Sequence, residues 1–321
     1  MCVHTSYWID HLVFAEGAVT SRALFVIEEF SVANFFLLYR LCSMLCSRLI
    51  IVGVGLLGSS LGLAVKKRNL AGTVLGIGDC VESLSIALRL GAVDTFSVGF
   101  DSVIGGDDSL AVICTPVNVI AECAFKIASV NDTILISDVG STKTNICASL
   151  DSLGCRFVGG HPIAGGERSG PDFGDADLFQ GRLTVLTPTS SSRSDDVERL
   201  RFFWESLGSH IICMEPAQHD AVLARTSHLP HALAAALALC VDESEHVFCG
   251  TGFADTTRIA SGSPSIWTDI FMENRENLLF ALERFGSRLD ELRTFLCDGD
   301  EAAIAQFLSA AASRRGERSG V

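Results

Sequence analysis

Between residues 48 and 216, short β-branched and aliphatic runs alternate with stretches of helical period. The runs over 49–52, 73–77, 110–114, 133–137, 156–158, 183–186 and 210–214 predict strands. The stretches between them predict helices, such as 81–90 ended by Gly91 and 196–207 ended by Gly208. Strands that alternate with helices predict an α/β domain built on a doubly wound parallel sheet. Beyond 216 the strands stop. Residues 217–242 read as one long helix, Ala-rich from Ala232 and bent or interrupted near Pro230. Residues 264–296 read as a second helix, with Ser263 as a cap and Pro264 at its first position, and 300–311 as a short third. The expected order is therefore an extension over 1–47, an α/β domain over 48–216, a helical substrate and dimerisation domain over 217–312 and a flexible tail over 313–321. Apolar faces this long on so few helices exceed what a lone domain needs, which points to a homodimer through the helical domain.

Composition narrows the function. The 321 residues carry a formal net charge of -14, which would repel nucleic acid and anionic membranes alike. The apolar stretch 23–46 is interrupted by Glu28, Glu29 and Arg40, too soon for a membrane span of about 20 residues. Twelve scattered cysteines form no CxxC pair, and residues 1–20 lack a secretory pattern, so a reduced, cytoplasmic protein is expected. Residues 1–43 match neither domain, and two readings stay open: translation starting at Met44, or an extension packing on the surface.

Five segments carry candidate chemistry. Leu49-Ile50-Ile51-Val52 runs into Gly53-Val54-Gly55-Leu56-Leu57-Gly58, a GxGxxG loop between a buried strand and a helical period. Gly53 permits the tight turn, Gly55 admits a diphosphate close to the backbone, and Gly58 lets helix pack on strand, the signature of a Rossmann-type dinucleotide site. Asp79, at the end of the next strand, suits the adenosine ribose and favours NAD, while Gly78 in the neighbouring position leaves NADP open. Leu56, Leu57, Thr115, Pro116, Asp138 and Lys143 are placed with these as cofactor residues. Ser141, in Ser137-Asp138-Val139-Gly140-Ser141-Thr142-Lys143, follows a strand facing the ligand crevice and reads as a substrate or nicotinamide contact, or equally as a helix cap.

Glycines crowd around His161 and Glu167 in Gly159-Gly160-His161-Pro162-Ile163-Ala164-Gly165-Gly166-Glu167, which no core requires, and an imidazole suits proton removal from a carbinol. His219-Asp220 precedes Ser227-His228-Leu229-Pro230-His231, whose spacing matches no recognised zinc pattern; no metal is expected. Arg258, in Asp255-Thr256-Thr257-Arg258, offers a fork for a carboxylate, or a salt bridge to Asp255 three residues before it.

Taken in order, GVGLLG, DVGSTK, GGHPIAGGERSG, SHLPH and GFADTTRIASGSPSIW resemble the prephenate and arogenate dehydrogenases of tyrosine biosynthesis, from about 48 to 277. The resemblance implies NAD-dependent oxidative decarboxylation of prephenate to 4-hydroxyphenylpyruvate, or of arogenate to tyrosine. It implies His161 as the proton acceptor and Ser141 bridging the ring hydroxyl and nicotinamide. Arg258 would hold a substrate carboxylate, with His231, His228, Gly165, Glu167 and Trp267 lining or gating the pocket. Gly166 departs from the family, many of whose members carry a side chain there. Two rivals remain: a β-hydroxyacid dehydrogenase, disfavoured because 217–280 contains no lysine base, and a non-catalytic NAD-binding regulator, disfavoured because His161, Ser141 and Arg258 are all present.

Overall fold

The structure, a computed structural model, describes residues 44–103, 108–166 and 168–316. The readings made of 1–43 and of Glu167 lie outside these residues.

The central sheet contains β1 (Cys46–Val52), β2 (Ala71–Ile77), β3 (Thr95–Ser97), β4 (Leu110–Ile113) and β5 (Leu135–Asp138), all parallel in the order β3-β2-β1-β4-β5. Alternation along each strand sorts side chains onto two faces. Leu49 and Ile51 of β1 join one core, where α1 (Leu56–Lys67) and α2 (Val81–Arg89) contribute Leu61, Ala64, Val65, Leu84 and Ala87. Ile50 and Val52 join the other, closed by α3 (Ile120–Val130) and α4 (Thr144–Ser152) through Ile120, Ala124, Ile127, Ile146 and Leu150. Burial on both faces is why these strands read as unbroken apolar runs.

The remaining strands do not extend that sheet as expected. β6 (Gly159–Pro162), β7 (Leu183–Thr187) and β8 (His210–Cys213) form a separate three-stranded sheet. β6 runs antiparallel to β7, because the described residues of 163–182 supply no crossover α-helix to return the chain; α5 (Ser194–Ser206) does so between β7 and β8, which are parallel. The strand expected at 156–158 begins instead at Gly159, with Phe157 left as an isolated bridge to Ile136. The short β3 escaped notice because three residues show no period.

The helical region is more broken than its pattern predicts. The first long helix divides into α6 (Pro216–Leu223), a π-helical turn (Ala224–His228) and α7 (Leu229–Leu239). Pro230 sits in the first turn of α7, where its missing N–H and ring force the wider turn just before it. Then come a 3₁₀ turn (Glu243–Phe248) closed by an Asp242/Glu245 capping box, α8 (Thr251–Thr257) and a second 3₁₀ turn (Arg258–Ser261), none of which was anticipated. The second long helix breaks at Asn274 into α9 (Pro264–Glu273) and α10 (Arg275–Asp298). α10 ends at Gly299 in a left-handed conformation, φ 65°, the usual glycine C-terminal stop. α11 (Glu301–Gly316) runs past the expected 311, so residues 313–316 are helical rather than a loose tail. No described helix is long and apolar enough to cross a membrane.

Candidate active site

The strand order reverses between β1 and β4, and a cleft of about 610 Å³ opens there, at the carboxyl ends of the strands. Its floor is the glycine loop. Gly53 has φ +89°, and a Cβ there would lie 2.9 Å from the carbonyl oxygen of Cys114. Gly58 is buried rather than cleft-lining: a Cβ would meet the Gly53 carbonyl oxygen at 2.0 Å, so only glycine lets α1 approach β1. A Cβ on Gly55 would touch nothing, because that position faces the opening. The unpaired N–H groups of the first turn of α1 therefore border a space with room for a diphosphate. Asp79 is exposed on the rim beside half-buried Gly78, and Leu56, Leu57, Thr115 and Pro116 also line the cleft. Arg168, which attracted no attention in the sequence, is the one basic residue on this lining among the described residues, its guanidinium 5.2 Å from the ring centre of Phe173.

The same cleft is lined by Ser141, Gly165 and Trp267, from a β5–α4 loop, the loop after β6 and α9. The glycine loop thus shares one cavity with Ser141, Gly165 and Trp267, while His161, His228, His231 and Arg258 lie off its lining. The ring of Trp267 stacks on His231 with centroids 3.5 Å apart and planes 14° from parallel. Gly262 closes over this stack, since a Cβ there would fall 2.6 Å from Trp267 Nε1 and 3.1 Å from His231 Cε1. Arg258 is exposed on the 3₁₀ turn that packs against α7, the helix of His231.

Asp138 and Lys143 do not reach the cleft. Both side chains are fully buried and form an ion pair with each other. The Asp138 carboxylate also accepts the N–H of Gly140 (2.8 Å) and of Gly160 (3.0 Å), tying the loop of Ser141 to the strand of His161. Their expected cofactor contact is replaced by an internal brace.

His161 is buried on β6 and its Nδ1 lies 2.9 Å from Nε2 of His219 on α6. His219 Nδ1 lies 2.8 Å from Oδ1 of Asp220. The Asp220 carboxylate accepts the N–H groups of Lys143 and Thr144, each at 2.8 Å, and so caps α4. His228, 1% exposed, has Nδ1 3.1 Å from Nδ2 of Asn274, which also donates to the carbonyl oxygen of Asp220 at 2.8 Å. Burial, then the neighbouring His219, Lys143 and His228, pushes His161 well below the usual imidazole value. Burial pulls His228 down to about 4 and lowers His231 as well. Burial alone would raise Asp220, but bonds from His219, Thr144 and Lys143 outweigh it and hold the carboxyl low. The site therefore combines a neutral buried imidazole with a fixed carboxylate two bonds behind it. His219 and Asp220 are legible as chemistry-bearing residues, yet their contact with His161 crosses 58 positions and leaves no local trace; Asn274 leaves none either.

Two family models match the chain: "prephenate dehydrogenase, nucleotide-binding domain" over residues 61–213, and "prephenate dehydrogenase, dimerization domain" over 215–310. The prephenate dehydrogenase of Bacillus subtilis (strain 168) is 32% identical over 280 residues, covering 83% of this chain and 75% of that protein. The cyclohexadienyl dehydrogenase of Zymomonas mobilis is 34% identical over 264 residues, 78% of this chain and 89% of that one. Among solved structures, prephenate dehydrogenase from Aquifex aeolicus in complex with hydroxyphenyl propionate and NAD+ is similar with a TM-score of 0.79 and 33% identity, covering 84% of this chain and 98% of that one. Synechocystis arogenate dehydrogenase gives 0.73 and 27% identity, with 84% and 99% covered.

Proposed function

This chain belongs to the prephenate dehydrogenase family, and we propose that it oxidises and decarboxylates prephenate with NAD, using the residues around the shared cleft. The observation that carries this reading is the single cavity joining Gly53 and Gly55 to Ser141, Gly165 and Trp267. Gly53, Gly55 and the amino end of α1 hold the diphosphate, and Asp79 takes the adenosine ribose, where a second phosphate would meet its charge. NAD, when bound, supplies the hydride acceptor, and loss of the ring carboxylate as CO2 with aromatisation drives the oxidation forward.

The protein's own part is to orient the ring and move one proton. Ser141, on the cleft wall, places the ring hydroxyl. His161, neutral because it is buried, accepts the hydroxyl proton. Arg258 binds a carboxylate of the substrate at the outer edge, and the His231–Trp267 stack forms the wall between. A homodimer forms through the helical region, where α10 and α11 leave Leu279, Phe280, Leu289, Leu296 and Leu308 more than half exposed, an apolar surface that a partner would cover.

The test is NADH formation by the purified protein, with prephenate and arogenate offered in parallel, each with NAD and with NADP. Turnover is expected with prephenate and NAD. Turnover of arogenate alone would reassign the substrate, and none with either acid, in a folded protein that binds NAD, would overturn the reading. His161→Asn should abolish turnover and leave NAD binding intact.

A further inference from the structure

The surroundings of His161 pose a chemical problem. Burial and the neighbouring His219, Lys143 and His228 keep its ring neutral, which a base requires, but the same surroundings oppose the positive charge that arrives with the proton. The geometry behind the ring answers it. Asp220 is an acceptor only, fixed by the two N–H groups at the amino end of α4, so Nδ1 of His219 carries the hydrogen in the 2.8 Å bond between them. One hydrogen also lies in the 2.9 Å contact between His219 Nε2 and His161 Nδ1. If His161 donates it, Nε2 of His161 is a bare lone pair, and among the described residues that nitrogen has no hydrogen-bond partner.

We infer that His219 and Asp220 are positioning residues that set the tautomer of His161 and relieve it of the proton it accepts. The inference rests on His161 as the base of the proposed reaction. The substrate O–H bond breaks and the proton joins His161 Nε2 while the hydride leaves for NAD. The Nδ1–H of His161 then passes to His219 Nε2, leaving His161 neutral and the charge on His219, in contact with the Asp220 carboxylate. After product leaves, the reverse hop returns the proton to the cleft through His161. The other ionisable groups around the relay do not compete for the proton. Lys143 is paired with Asp138, and burial holds both His228 and His231 below the usual imidazole value.

The first readout needs no turnover. Nitrogen-resolved NMR of the imidazoles in the full-length, ligand-free protein at pH 7.5 should show His161 and His219 both neutral with the hydrogen on Nδ1. A hydrogen on Nε2 of His161 would overturn the inference. Asp220→Asn should release His219 from that tautomer. The second readout is kinetic. His219→Gln keeps an oxygen to accept the His161 Nδ1–H but cannot take a proton. Its kcat should fall roughly 100-fold with KM for NAD unchanged, and the acid limb of kcat/KM should move to lower pH. His219→Ala, which loses the orientation too, should fall roughly tenfold further. Wild-type kcat in both variants, or a loss without movement of the acid limb in protein that still binds NAD, would refute the relay. Correct tautomers in a wild-type protein that turns over neither acid would support the relay geometry and overturn the substrate assignment instead.

Discussion

Replacing Lys143 with methionine separates an internal brace from a cofactor contact. Methionine keeps the length and apolar character of the lysine stem and removes only the charge. Asp138 would then be a wholly buried carboxylate with two N–H donors, from Gly140 and Gly160, and no counter-ion. Removing one partner of a buried pair costs about 3–5 kcal/mol, because the remaining charge stays desolvated. Against a total stability of about 5–15 kcal/mol that is a large share. At about 2–4 °C per kcal/mol for a chain of this size, Tm should fall by roughly 6–20 °C. Urea unfolding followed by tryptophan fluorescence should give the same loss as a lower midpoint at unchanged slope. Adding Asp138→Asn to Lys143→Met should recover about 1–2 kcal/mol, since the orphaned charge is gone. In the folded fraction NAD affinity should stay within about threefold of wild type, because neither side chain borders the cleft. A variant of unchanged Tm that binds NAD tenfold more weakly would refute this argument and return Lys143 to the cofactor.

Other substitutions test the remaining parts. Gly58→Ala would drive a methyl group to 2.0 Å from the Gly53 carbonyl oxygen, so it should push α1 off β1 and weaken NAD binding at least tenfold by calorimetry. Gly166→Thr should leave Tm within about 1–2 °C, because a Cβ there meets Leu56 at 3.6 Å and the Arg168 backbone nitrogen at 3.9 Å, both ordinary contacts, and should change KM for the ring substrate rather than for NAD. His228 takes up a proton only near pH 4 when folded but near 6.5 when unfolded, so its contribution is full above pH 6.5 and is lost as pH falls toward 4. The loss should reach about 3 kcal/mol, and His228→Gln should flatten the pH dependence of urea stability by that amount; parallel curves for the two proteins would contradict the burial argument.

What was legible in the sequence depended on whether the signal was local. The glycine loop could be read because each glycine answers a constraint set within a few residues: the positive φ of Gly53, the open face at Gly55, the close approach at Gly58. The parallel sheet could be read because burial on both faces writes itself into every strand as an apolar run. The second sheet could not, because its direction is decided by the absence of a crossover helix over the described residues of 163–182, and irregular backbone has no period to detect. Lys143 misled for a related reason. A lysine after a strand in a nucleotide-binding domain is ordinarily expected at the ligand, and only the third dimension supplies Asp138 to neutralise it inside. The π-turn at 224–228 falls beside the interruption expected near Pro230, but the break at Asn274 was hidden because apolar spacing runs straight through it; both breaks serve polar residues, presenting His228 and placing the Asn274 amide for two bonds. These two deviations from ideal helix therefore fall where the histidine cluster is built. A sequence reader can use that in reverse, by asking which His or Asn sits at a proline-forced or unexplained interruption and what distant acid or imidazole it was displaced to meet.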